Sequence, residues 1–135
     1  MGSFQVRTRE RNDLIDITSE VKRIISNSGI VSGLATVFVP HTTAAVTINE
    51  NADPSVKHDL LMGLSDIVPA NLPQYRHSEG NSDSHIKASL IGSSVTVIIN
   101  NGNLVLGTWQ GIFLCEFDGP RTRSVHVQVI GSEGS

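Results

Sequence analysis

A single α+β domain of about eight strands and two or three helices is what this sequence predicts. Three observations lead there. At 135 residues and 39% hydrophobic composition the chain has material for one core and hardly for two. Its last third is a series of β-branched and aromatic runs separated by turn residues. Helical spacing of apolar residues occurs in only three short segments, all before residue 92.

The elements follow in order. Residues 4–9, Phe-Gln-Val-Arg-Thr-Arg, alternate in character and predict a strand with one wet face. Asp16, Thr18 and Ser19 offer cap groups to a helix over about 19–27, where Val21, Ile24 and Ile25 share a face and Asn27-Ser28-Gly29 stops it. Leu34–Val39 is a strand closed by Pro40, and Ala44–Ile48 is the next; His41-Thr42-Thr43 is the tight connection between them. Asp53-Pro54 starts a helix that ends at Pro69, with Val56, Leu60, Leu61 and Leu64 on one face and His58 and Asp59 on its flanks. Residues 70–84 read as a loop, long enough to be functional, and lead into a short helix over about 84–90 capped by Ser82 or Asp83 and stopped by Gly92. Strands over 94–99, 104–106, 108–117 and 123–130 complete the chain, with Asn101-Gly102 and Asp118-Gly119 as hairpin turns. Residues 1–3 and the tail 131–135 are expected to be flexible ends.

Composition removes several classes of function. No apolar run approaches the ~20 residues of a membrane helix, and the N-terminus has no charged-then-apolar leader, so a soluble protein that is not exported is expected. A net charge of −3 and 4% aromatic residues give neither the field nor the stacking surface of a nucleic-acid binder. The single cysteine, Cys115, excludes an intrachain disulfide; its apolar setting reads as a buried, inert thiol.

What remains is a concentration of polar chemistry in turns and at element ends. His41, His77 and His85 all lie in such places, and together they are the candidate ligands of a divalent metal. Zinc is the first choice for imidazole and magnesium the second; three unrelated histidines are the alternative. Glu116 follows the core run Ile112–Cys115 and is either ion-paired to Arg121 or Arg123, or a general base or ligand. Asp53 is a helix cap and a second candidate base. Arg121 and Arg123 bring two guanidiniums to one turn, as a clamp for phosphate or as balance for Glu116 and Asp118. Trp109 either walls a pocket or fills the core.

Taken together, Pro40-His41-Thr42-Thr43-Ala44 with Glu50-Asn51 and Asp53, His77 with Asn81 through His85, and Gly107-Thr-Trp-Gln110 with Glu116-Phe-Asp-Gly-Pro-Arg121-Thr-Arg123 resemble the YjbQ family, also called the secondary thiamine-phosphate synthase family. The resemblance covers nearly the whole chain. It implies a compact α+β fold with a β-sandwich core, a homotrimer, a cytoplasmic location and a weak thiamine-phosphate synthase activity. It also implies that the site is built from His41, Thr42, Thr43, His77, His85 and Gly107–Gln110, with a metal at the histidines. In that reaction a pyrimidine-methyl group moves from its diphosphate to a thiazole phosphate. Arg121, Arg123 and a divalent cation would meet the leaving diphosphate, Trp109, Gln110 and Asn51 the pyrimidine, and Thr42 and Thr43 the thiazole phosphate. Zinc-assisted hydrolysis with Glu116 or Asp53 as base is the second expectation, and a non-enzymatic trimeric binding protein the third.

Overall fold

A computed structural model describes residues 1–132. Eight strands among the described residues form two antiparallel sheets. One has five strands, β1 (Gly2–Arg7), β8 (Thr122–Gly131), β3 (Gly33–Phe38), β5 (Ser94–Asn100) and β6 (Asn103–Leu104), hydrogen-bonded in that order. The other has three, β2 (Asp13–Asp16), β7 (Gln110–Glu116) and β4 (Ala44–Glu50). The helices are α1 (Thr18–Ser28), α2 (Pro54–Ile67) and α3 (Ser82–Ile91).

The three-stranded sheet is buried on both faces. Toward the large sheet, Val46, Ile112 and Leu114 meet Val37, Val97, Val125 and Val127, and Val21 and Ile25 of α1 join them. On its other face Ala45, Phe113, Cys115 and Phe117 pack against Leu60, Leu61 and Leu64 of α2 and Ala88 of α3. The order is therefore large sheet, small sheet, then α2 and α3, with α1 closing the core between the sheets. That explains why β7 reads as an unbroken apolar run rather than an alternation.

Most expected elements are present, with instructive differences. Asp16 does prepare the start of α1, its carboxylate accepting from the Thr18 amide (2.9 Å) and hydroxyl (2.5 Å), and Gly29 ends the helix with φ +71°. Residues 13–16, however, also form a strand, paired with Phe113–Glu116. Gly2 and Ser3 pair with Val127 and His126 rather than lying outside the sheet. Asn101 and Gly102, both at positive φ, turn β5 into β6 as expected. The Asp118-Gly119 turn is not a hairpin, because β7 and β8 belong to different sheets. The segment carries the chain from one layer to the other, Gly119 sits at negative φ, and its peptide bond to Pro120 is cis. The strand expected over 104–106 has only two residues, and β7 begins at Gln110 rather than at 108. α3 begins two residues earlier than expected, after Asn81 rather than a Ser82 or Asp83 cap. Of the expected C-terminal tail, Gly131 closes β8 and residues 133–135 lie outside the described residues.

Candidate active site

The chain switches sheets through His41-Thr42-Thr43, between β3 and β4, and again through Phe117–Arg121, between β7 and β8. The ladders put both switches at one rim: Ala44 is opposite Glu116, and Phe117 donates its amide to the Thr43 carbonyl at 3.2 Å. α3 is brought to the same rim by its buried Asp83, which takes two hydrogen bonds of 3.0 Å from Arg11 and lies 3.6 Å from Lys87. The Ser84 hydroxyl adds a bond of 2.5 Å to the Phe117 carbonyl. Two crossovers and a helix start thus enclose a cavity of about 440 Å³, in the range of small-molecule sites.

His41, Thr42, Thr43, His77, His85, Arg121 and Arg123 all line it, with Glu79, Asn81 and Asp118. Seven of the residues selected from sequence are therefore gathered in one place, from three separate stretches of chain. A second cavity of about 500 Å³ shares His41, Thr42 and His85 and runs along α3 past Ser89 to Gly92.

His41 is half-buried. Burial and then the positive charge of Arg123 push its pKa down, outweighing the opposing pull of Glu116. The amide of Ser124 donates to its Nε2 at 2.9 Å. A neutral imidazole with Nε2 accepting must carry its proton on Nδ1, so its single lone pair is occupied. That bears directly on the metal. His77 and His85 stand edge to face, their ring centres 5.3 Å apart, but His41 in this tautomer has no nitrogen to offer a cation. Among the described residues no three His, Cys, Asp or Glu side chains come together to hold one. As arranged, the three histidines do not fit zinc.

Glu116 is fully buried and accepts from the Thr8 hydroxyl (2.7 Å), the Asp118 amide (3.0 Å), and Arg123 through both Nε (2.9 Å) and Nη2. Burial would raise its pKa, but the bonds from Arg123 and Thr8, then Asp118 and the charge of Arg123, hold it below the usual value. A carboxylate with four donors is a scaffold rather than a general base. The ion-pair alternative is the one the geometry supports. Arg123 also reaches the Thr43 hydroxyl with Nη2 (2.9 Å), fixing the His-Thr-Thr turn. Arg121 bonds the Asp118 carbonyl (2.8 Å) and carboxylate (3.0 Å) while remaining half exposed. Both guanidiniums keep Nη1 without a protein partner, and both line the cavity.

The remaining selected residues lie elsewhere. Asn51, Trp109 and Gln110 form a cluster, the Asn51 amide donating to the Trp109 carbonyl at 2.9 Å. Gln110 pairs with Glu50 at the far end of the ladder from Glu116. Six residues of strand separate the two ends, about 20 Å. Trp109 is 62% exposed, so within one chain it neither walls this cavity nor fills the core. Asp53 caps α2, accepting from the Ser55 amide at 2.9 Å, in an exposed position outside the lining of the cavity. His58 and Asp59 face solvent and pair with each other at 3.0 Å. Cys115 is buried, its pKa pushed up to about 12 by burial, and is inert.

Glu79 and Thr8 are not singled out by the sequence; Asp118 enters there as a carboxylate balancing the arginines, and Asn81 within the stretch that carries the family resemblance. Asn81 could have been suspected as the residue preceding a helix; Thr8, on a terminal strand, had no local signal.

The family model described as "UPF0047 protein YjbQ-like" matches residues 2–132. UPF0047 protein MJ1081 of Methanocaldococcus jannaschii is 54% identical over 96% of this chain and 94% of its own length. UPF0047 protein YugU of Bacillus subtilis is 50% identical over 97% of this chain and 99% of its own. The crystal structure of an uncharacterised YjbQ/UPF0047-family protein from Clostridium acetobutylicum superposes with a TM-score of 0.94 at 52% identity, covering 96% of this chain and all of the other.

Proposed function

We propose that this chain, which belongs to the YjbQ-like UPF0047 family, is an enzyme acting on a phosphorylated small molecule in the His41–Arg121 cavity, with a thiamine-phosphate synthase-like transfer as its reaction. The observation that carries the reading is the convergence of two guanidiniums with free Nη1 groups and a neutral imidazole bearing Nδ1–H on one cavity. Directed donors of this kind suit an anionic leaving group in a recessed site. The two cavities that meet at His41 and His85 give room for two substrates side by side. In the transfer, the thiazole nitrogen forms a bond to the pyrimidine methylene carbon as the carbon–oxygen bond breaks. Pyrophosphate leaves with the electron pair, against Arg121 and Arg123. No carboxylate base is required, which agrees with the full hydrogen bonding of Glu116.

The finer features of this reading are a homotrimer and a cytoplasmic location. For assembly, the support is an uncovered apolar row on the outer face of the large sheet. Ile98, Leu34 and Ile130 lie opposite one another on three neighbouring strands and are 57%, 46% and 62% exposed. For location, the support is a composition with a single, buried cysteine and hence no disulfide within the chain, and no helix among the described residues is long and apolar enough to cross a membrane.

The test is turnover of pyrimidine-methyl diphosphate with thiazole phosphate by the wild type and by Arg121→Ala. Thiamine phosphate formation reduced about 10- to 100-fold in the variant is expected, the loss of one charge-assisted hydrogen bond. Product formation unaffected by the substitution, or no product and no binding of either phosphate, overturns the reading.

A further inference from the structure

One atom in the cavity wall is left without a partner. Asn81 is 6% exposed, and its Oδ1 is buried with no hydrogen bond from the protein. Its Nδ2 donates to Asp118 Oδ2 at 2.7 Å. That contact fixes the amide, because turning it over would set two oxygens against each other. Asp118 is itself held by Arg121, so the orientation is imposed from outside. Buried amide oxygens in native proteins are nearly always paired, and leaving one unpaired costs about 1–3 kcal/mol. The residue lines the cavity, beside His41, His77 and both arginines.

We infer that Asn81 Oδ1 is the acceptor for an O–H or N–H group of the ligand, so that the cavity selects phosphate esters carrying a hydrogen-bond donor on the esterified group. The inference rests on the phosphorylated-ligand reading above and adds which esters are preferred. A cation is the other species that satisfies an amide oxygen. Among the described residues no three His, Cys, Asp or Glu side chains are grouped to hold one there. An anionic group against the arginines and a donor against Asn81 together define a two-point ligand. The amide supplies specificity because a donor-free ester would leave it buried and unpaired.

The experiment compares matched esters by chemical-shift titration: 2-hydroxyethyl phosphate against ethyl phosphate, and glycerol 3-phosphate against propyl phosphate, with inorganic phosphate as reference. In the wild type at least one hydroxylated ester should bind about tenfold more tightly than its partner. In Asn81→Ser that ratio should fall to about one, with the affinity for inorganic phosphate retained. Asn81→Ala is the second variant. It removes the acceptor without adding a polar group and should abolish the preference even where Asn81→Ser folds poorly. Equal binding within both pairs, or a preference that survives both substitutions, overturns the inference while leaving phosphate binding intact. Failure of every phosphate to bind the wild type overturns the underlying reading as well.

Discussion

Arg123 and Glu116, seven residues apart, are joined across the β7–β8 crossover by two hydrogen bonds in which the guanidinium donates from Nε and Nη2 to the two carboxylate oxygens. Both are buried, and the same guanidinium holds the Thr43 hydroxyl. The pair therefore ties together the two segments that change sheets, and the cavity exists because they are tied. Glu116→Gln removes one charge of a buried pair and should destabilise the fold by about 3–5 kcal/mol, measured by denaturant unfolding. The sign with pH follows from the lowered carboxyl pKa. Its stabilisation is complete above the unfolded value and is lost as pH falls from about 4.5 through the folded one. A variant that is as stable as wild type but inactive would show Glu116 to be a base after all.

His41 should titrate below the ordinary histidine value, with Nδ1 protonated in the neutral form, both read from nitrogen NMR. Because the folded pKa is depressed, its contribution to stability is full above about pH 6.5 and declines as pH falls toward the folded value. A normal or raised pKa would contradict the burial of the ring beside Arg123, and a proton on Nε2 would contradict the Ser124 contact.

Metal analysis of the purified protein should find well under one equivalent of zinc, and a chelator should leave turnover unchanged. Stoichiometric zinc that disappears in His85→Ala would mean that the His41 ring turns away from Ser124 when a cation arrives.

Sedimentation should give a mass three times that of the 14.5 kDa chain. Leu34→Lys, placing a charge in the middle of the exposed Ile98–Leu34–Ile130 row, should shift it toward the monomer. A wild-type monomer would remove the role assigned to that face.

The residues by themselves determined the local structure: the Asp53-Pro54 start of α2, the Gly29 end of α1, the positive-φ Asn101-Gly102 turn and the apolar run of β7 all follow from side-chain chemistry within a few positions. They also selected the chemistry-bearing groups, since imidazoles and guanidiniums at turns are exposed to few competing structural demands. Only the tertiary structure decided how those groups are divided. Asp118-Gly119 has the chemistry of a hairpin turn, yet it crosses between layers, because which sheet β8 joins depends on Phe4 and Val6 of β1 and on the partners of β3, more than eighty residues away. The same crossover buries Glu116 against Thr8, sets Asp118 against Asn81 and leaves the Trp109 cluster at the far end of the small sheet. Contacts of that sequence separation are fixed by packing two sheets face to face, and no local pattern records them.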